Sequence, residues 1–521
     1  MLTDLQQIFS YSFKQLTDEL IQKVEKCPPK AEDFPAFLNS LPNGGIPEYL
    51  PDLAAIELAS HTLISSPAHF PSQIDSYQLN PTLKLVQVGW QPLLDVLAGT
   101  DLVPEASSQF ILLWLNPLNH QIKQAVASSG NLLALKMISE QLDPITVAKQ
   151  HNRPVGVVDK EIERAIFMGL LLAPQSKLDR RQSGFSIPPE TPEEFLLADA
   201  FTLQWHITHR CDLNCLHCYD RSLLSDVGLE QGVDILDQMR NFCLQHHVYG
   251  QVSFSGGNPF LHPHFFSLYK AAKERNLSLA ILGNPVSAEQ LNRLLAIEKP
   301  VCYQVSLEGL QQHNDYIRGS GNFDSVLNFL DLLKSKNIYS MVMLTLTQDN
   351  MDQVLPLAEL LRERVDLFTY NRLSMVGEGA NLESPREADY HSFVREYLNA
   401  SAQNPIMAMK DNLINIEREN QARGLFGGCT GFGCGAAFNF VSVLPNGQVD
   451  ACRKFPSPIG DINNQNLQEI YYSEQAKAYR KGSAACNSCH LRPICGGCLA
   501  VTYGCGLDPL IDMDPGCFLE K

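Results

Sequence analysis

The sequence predicts an α/β protein: a parallel sheet curled into a full or partial TIM-like barrel of the (β/α)6 kind, preceded by a helical, winged-helix-like region and followed by a Cys-rich domain. Three observations carry this. From about 200 to 372, apolar runs of strand length alternate with amphipathic helical stretches, the pattern of a parallel sheet with crossovers. Before that, helical periodicity surrounds a few strand-like runs. After it, nine of the 15 cysteines fall beyond residue 428, in a stretch with little periodicity. At 521 residues the chain exceeds what one core can bury. The expected regions are 1–75 (helical), 76–182 (winged-helix-like or peptide-recognition-like), 183–199 (linker), 200–375 (barrel), 376–426 (bridging helices) and 427–521 (Cys-rich).

In order along the chain, Leu5, Ile8, Phe9, Phe13, Leu16, Leu20 and Val24 repeat at helical spacing over 2–24. "PEYLPDLAAIELASHTL" (47–63) predicts a second helix after a Pro/Gly turn. "TLKLVQVGWQPLLDVL" and "QFILLWLNPLN" read as strands, the latter closed by Asn-Pro. Residues 131–174 predict three helices separated by turns and ending at Gly169. The Pro- and acid-rich "SGFSIPPETPEEF" (183–195) reads as a linker. Barrel strands are expected at 201–208, 250–257, 277–283, 301–307, 339–346 and 366–373, with helices such as 229–247 and 323–336 between them. The Cys-rich end buries too little apolar surface to hold itself and needs metal or disulfides.

A formal charge of −17 argues against a dedicated nucleic-acid binder, which draws affinity from Lys and Arg on phosphates. No apolar run approaches the roughly 20 residues of a membrane span, and the start does not read as a signal peptide. A cytoplasmic location is expected, and there cysteine-rich regions point to metal or redox chemistry rather than disulfides. Cys27, Cys243 and Cys302 lie in helical or strand contexts and are expected in the core. Met341, Met343 and Met375 read as ordinary core or linker residues.

"CDLNCLHCYD" (211–220) follows the first barrel strand, so Cys211, Cys215 and Cys218 sit on a loop at the rim where barrel active sites lie. Zinc in a structural site takes four ligands, and a [4Fe–4S] cluster has four corners. Three cysteines leave one corner open for another ligand. "SGGNP" (255–259) and "SLEG" (306–309) occupy equivalent rim positions after the second and fourth strands. Gly256 and Gly257 with Asn258 leave backbone groups exposed to a closely approaching ligand, and Ser306 and Glu308 present a hydroxyl and a carboxylate. His206 and His209 flank the cluster loop and are expected to pack or meet solvent.

These motifs, in this order on these elements, resemble the radical S-adenosylmethionine (SAM) enzymes: C-x3-C-x2-C followed by an aromatic, Tyr219, then GGEP-like and SLDG-like motifs. "HNDYIRGSGNFDSV" (313–326) is similar to the stretch that follows SLDG in members with cluster-bearing extensions. The resemblance covers roughly 200–375. It implies that Cys211, Cys215 and Cys218 hold a [4Fe–4S] cluster whose open iron takes the amino and carboxylate groups of SAM. Reduction then releases a 5′-deoxyadenosyl radical that abstracts hydrogen from substrate, the cofactor carrying the hard chemistry. By the same resemblance Gly256, Gly257 and Asn258 hold the methionine amine, Ser306 and Glu308 hold polar groups of SAM, and Arg318 holds its carboxylate. Asn258 stands where the family often has Glu, and Glu308 where it has Asp.

"GGCTGFGCGAAFNFVSVLPNGQVDACRKF" (427–455) and "CNSCHLRPICGGC" (486–498) resemble a SPASM domain, the extension of radical SAM peptide-modifying enzymes that holds two auxiliary [4Fe–4S] clusters. The resemblance implies Cys429, Cys434, Cys452 and Cys498 for the first and Cys486, Cys489, Cys495 and Cys517 for the second, with Cys505 an unassigned alternative. The family often spaces the last two cysteines of that run by x3; here the spacing is x2. A zinc ribbon is the rival reading of the same spacing. Clusters with four cysteines each offer no open iron and favour electron relay, hence net oxidation such as cross-linking. Sulfatase-maturing relatives carry Asp after the cysteine at Cys452; Arg453 stands here, which argues against that reaction. Arg453 is expected in a surface ion pair or on a substrate carboxylate.

The N-terminal third suits a winged-helix DNA reader, a structural cap, or a RiPP recognition element, which takes a leader peptide as an added strand. Over 110–182 nine basic residues face six acidic ones, too mild an excess to demand nucleic acid. The expected activity is therefore a cytoplasmic radical SAM/SPASM maturase of a ribosomally synthesised peptide, similar also to maturases of the thio(seleno)oxazole or selenobiotic class. Its expected partners are the precursor peptide and a reductant such as flavodoxin or ferredoxin, with no nucleic acid and no membrane. A small-molecule substrate, or a cluster-bearing scaffold without turnover, are the alternatives.

Overall fold

A computed structural model describes residues 2–26, 28–42, 45–66, 69–222 and 224–519. Cys27, expected in the core, lies outside them. The chain forms two compact units, Met1–Gln175 and Ser176–Lys521. No described helix is long and apolar enough to cross a membrane.

The first unit is built on a three-stranded antiparallel sheet, Lys84–Gln91, Glu105–Leu115 and Ile122–Val126, with the second strand in the middle. Side chains alternate across a strand, so "FILLWL" serves two cores. Ile111, Leu113 and Leu115 pack with Leu53, Ile56 and the helices of residues 2–65, whereas Leu112 and Trp114 pack with Ala134, Met137, Val158 and Ile162. The latter come from three helices, Ser129–Ser139, Pro144–Gln150 and Val155–Met168, the last ended by Gly169 in the left-handed region.

Three local expectations differ. The helix expected over 2–24 is three helices, Leu2–Ile8, Ser10–Lys14 and Asp18–Lys26, because Thr17 Oγ1 accepts from the Leu20 amide and starts a new helix. Its apolar positions still face one core, Leu5, Phe9, Phe13, Leu16 and Val24 all being buried. In "TLKLVQVGWQPLLDVL" only Lys84–Gln91 is strand; past Pro92, which cannot donate to a ladder, Leu93–Leu97 is helical. The short strand Ile122–Val126, too polar to stand out, was not expected.

In the second unit β1 (Ala200–Thr208), β2 (Tyr249–Gly256), β3 (Ser278–Leu282), β4 (Cys302–Ser306), β5 (Ser340–Leu346) and β6 (Leu367–Arg372) form a parallel sheet in sequential order. This is the partial barrel the sequence predicted, with helices such as Leu229–His246 and Asn322–Ser335 as crossovers. Phe201, Leu203, Trp205 and Ile207 on β1 are all fully buried. The C-terminal region, which shows little periodicity in sequence, extends this sheet. β7 (Phe440–Val443) pairs parallel with β1, Phe440 opposite Thr202, and β8 (Gln448–Asp450) and β9 (Pro458–Asp461) follow antiparallel. Gly447, in the left-handed region, makes the β7–β8 turn.

Residues 176–199 pack on this unit rather than hanging free: Leu178 and Ala198 are buried in its core. Arg180 donates to the carbonyls of Phe432 and Cys434.

Candidate active site and cysteine cages

A cavity of about 440 Å³ opens at the C-terminal ends of the barrel strands. Cys211, Cys215 and Cys218 line it together with Gly256, Gly257, Ser306, Arg318 and Tyr219, and no other cysteine does so among the described residues. The cluster loop is held from several sides. Leu216 N donates to Ile317 O (2.9 Å), and Glu378 N to Cys218 O (2.9 Å). Asn284 Nδ2 reaches Cys211 Sγ (3.5 Å) and Asp212 Oδ1. His206, buried on β1, lies 3.3 Å from the Tyr219 hydroxyl. His209 pairs with Asp220 (2.9 Å) and Ser222 (3.1 Å). Both histidines thus anchor the residues that follow Cys218.

The two glycines do something other than expose donors. Gly257 N donates to Thr208 O (2.8 Å) and Asn258 N to Arg210 O (2.7 Å), which lays the end of β2 against the cluster loop. A Cβ on Gly256 would collide with Thr208 O, and one on Gly257 with Arg210 O. Asn258 is buried away from the cavity, its side chain capping Phe260 N and approaching Asp212. Glu308 is likewise buried. Its Oε1 accepts from Arg318 Nε (2.9 Å) and Nη2 (2.7 Å), and its Oε2 from Thr345 N (2.7 Å). Burial alone would raise its pKa, but His217, Arg318 and the Thr345 amide hold it below the usual carboxylate range. Ser306, Arg318 and Thr345 face the cavity; Glu308 holds Arg318 and Thr345 from behind, and Arg318 Nη1 lies 3.8 Å from Cys215 Sγ.

The C-terminal cysteines gather around two further cavities. Cys429, Cys434, Cys452 and Cys498 line one of about 50 Å³, and Cys486, Cys489, Cys495 and Cys517 line another of about 470 Å³. Cys505 lines neither. The cages touch where Cys434 N donates to Cys495 O (2.9 Å) and where Asp514, on the wall of the second, accepts from Cys498 N (2.7 Å). All 14 described cysteines are free thiols.

These cages fit a cluster better than zinc. Tetrahedral Zn–S bonds place sulfurs about 3.8 Å apart, yet among the described residues no three cysteine sulfurs lie within 4.8 Å of one another. Burial pushes the Cys215 thiol up to about 11 and the Cys452 thiol up to about 12, so both release a proton on taking iron.

Several residues here escaped the sequence reading. Arg372, ending β6, is buried and binds Asp411 (2.9 Å) and both oxygens of Asp514 (2.8 and 2.6 Å), tying the barrel rim to both cages. Its place at the end of a barrel strand was the available signal. Arg453 and Lys454 line the reaction cavity, and Lys454 also lines the first cage. Among the described residues Arg453 makes no ion pair of the kind expected of it; its Nη1 donates to Ser255 Oγ (3.2 Å). Cys243 is buried as expected, and Cys302 is half-buried on β4.

Comparison with known proteins agrees with this geometry. Residues 205–361 match the Radical SAM superfamily, and 434–498 an iron–sulfur cluster-binding domain, SPASM. The antilisterial bacteriocin subtilosin biosynthesis protein AlbA of Bacillus subtilis is 26% identical over 343 residues, 62% of this chain and 72% of that one. The mycofactocin maturase MftC of Mycobacterium tuberculosis is 26% identical over 335 residues, covering 60% and 82%. An AdoMet-dependent heme synthase of Methanosarcina barkeri is 23% identical over 348 residues, covering 60% and 95%. Among solved structures, Streptococcus suis SuiB bound to precursor peptide SuiA shares the fold, with a TM-score of 0.53 at 17% identity over 79% of this chain and 96% of that one.

Proposed function

We propose that this chain, a radical SAM enzyme with a SPASM extension, oxidises a ribosomally synthesised precursor peptide whose leader is held by the Met1–Gln175 unit. Cys211, Cys215 and Cys218 would hold a [4Fe–4S] cluster which, with SAM, would supply a 5′-deoxyadenosyl radical for hydrogen abstraction. The chain's own residues shape the cavity: Ser306, Thr345 and Arg318 offer polar contacts, and Arg453 and Lys454 add two cations. The observation that carries a peptide substrate is the run of relatives whose names concern bacteriocin biosynthesis, a maturase and a bound precursor peptide. Net oxidation is favoured by two all-cysteine cages, which leave no iron open to substrate.

The leader fits the outer edge of Ile122–Val126 as an added strand. Ala127 N donates inward to Phe110 O, so by alternation Ala125 and Lys123 point inward and Gln124 and Val126 outward. A heme synthase among the relatives keeps a small-molecule substrate as the second reading.

The test is anaerobic co-expression with each short peptide encoded beside the gene, read by mass spectrometry. A product two hydrogens lighter is expected. Gln124→Pro removes one outward donor at an exposed edge position, where proline is tolerated. It should abolish leader binding and leave SAM cleavage intact. SAM cleavage without a mass change or deuterium uptake in any peptide would overturn the peptide reading.

A further inference from the structure

Three arginines lie buried beside the cysteine cages with no carboxylate partner. Arg180, Arg480 and Arg492 are 0%, 7% and 1% exposed, and no ion pair involves any of them among the described residues. Arg180 spends its donors on the carbonyls of Phe432, Cys434 and Arg480. Arg480 spends its own on Ala437 and Tyr471. Arg492 differs: only Nη2 finds partners, the carbonyls of Lys481 and Arg480, while Nε and Nη1 are buried with none. Its amide donates to Cys489 O (3.0 Å), and its Nη1 lies so close to Gly496, on the wall of the second cage, that any Cβ there would collide with it. Phe185 stacks on its guanidinium at 4.1 Å.

Burying an unpaired charge costs several kcal/mol, and orphaned buried donors call for an absent partner. Four thiolates make a cluster site net negative, and hydrogen bonds and nearby charge set a cluster's reduction potential. We propose that Arg492 is the counter-cation of the second cage: behind the Gly496 wall, its unpartnered Nε and Nη1 would be free to donate toward the group that Cys486, Cys489, Cys495 and Cys517 would hold, and its charge would make that group easier to reduce. Arg492 acts as a positioning residue, touching no substrate. The inference stands on the cage alone and survives if the substrate is not a peptide.

The experiment is EPR-monitored redox titration of the reconstituted full chain, the second-cage signal being identified by its loss in Cys489→Ala/Cys517→Ala. In Arg492→Met and Arg492→Gln the second-cage potential should fall by at least a tenfold shift in the reduced-to-oxidised ratio, about 59 mV for one electron. Arg492→Lys, which keeps the charge, should retain most of it, and the three-cysteine site should not move. Unchanged potentials at full iron content would overturn the proposal. So would loss of the second cluster from all three variants alike, which would make the role one of packing. Loss from Met and Gln but not Lys would support it.

Discussion

Around the three-cysteine loop, arginines come with carboxylates: Arg318 with Glu308, Arg221 with Glu378 (3.4 Å) and Arg210 with Asp226 (3.5 Å). Around the two C-terminal cages Arg180, Arg480 and Arg492 come without among the described residues, Arg372 with Asp411 and Asp514 being the exception. Arg453, reaching the reaction cavity from the C-terminal domain, follows the second habit. A cluster that must push an electron onto SAM is best kept at low potential, and neutralised surroundings serve that. If the cages hold clusters that take electrons, as proposed above, uncompensated positive charge would ease that step. One sheet thus carries two electrostatic regimes, and the composition of the neighbouring ion pairs separates them.

The largest effects should come from breaking each regime outright. Cys215→Ala should reduce 5′-deoxyadenosine formation to background, whatever the state of the cages. Cys434→Ala/Cys452→Ala should instead leave reductive SAM cleavage measurable while product oxidation is lost. Chromatography for 5′-deoxyadenosine beside mass spectrometry of the product reads both. If the cage variant, still folded and loaded at the loop, oxidises product normally, the cages are structural and the contrast carries no function.

Arg372 sits where the regimes meet, and its removal sharpens the comparison. Arg372→Met takes the guanidinium away from the buried Asp411 and Asp514, and breaking such an arrangement costs about 3–5 kcal/mol. Asp514 also caps Cys498 and lines the second cage. The expected outcome is a lower urea midpoint together with reduced iron content in both cages. Iron content at the wild-type level would show that the cages do not depend on this bridge.

How much of this was legible beforehand follows from what kind of signal each part gives. The barrel was legible because strands buried on both faces read as apolar runs, and the loop because three cysteines at x3 and x2 have few uses. The partition of the eight C-terminal cysteines emerged from motif likeness, and the structure gathers the same two sets of four. Missed were partnerships between residues distant in sequence. Arg372 with Asp514, Arg180 with Cys434, and β7 with β1 each join segments more than a hundred residues apart. Asn446-Gly447 between "FVSV" and "QVD" was a hairpin signal in plain view, outweighed by the surrounding cysteines and glycines. The glycines of "SGGNP" were rightly singled out but for a different service, since sequence cannot say which backbone they lie against.

The smallest effect probes the neutralised side alone. Glu308→Gln keeps an acceptor for Thr345 N but strips Arg318 of its counter-charge, which should cost about 2 kcal/mol near neutral pH. Glu308's folded pKa lies below its unfolded value of about 4.3. Its carboxylate therefore contributes fully above that unfolded value, and the contribution is lost as pH falls toward the lower folded one. The stability gap between wild type and Glu308→Gln, read from paired urea titrations, should be constant from pH 8 to 6 and shrink steadily below about pH 4.3. Acid sensitivity of the clusters is common to both proteins and drops out of the difference. A gap that stays the same through the acid range would mean that Glu308 acts through shape and hydrogen bonding rather than charge. The pairing of arginines with carboxylates around the loop would then lose its electrostatic meaning.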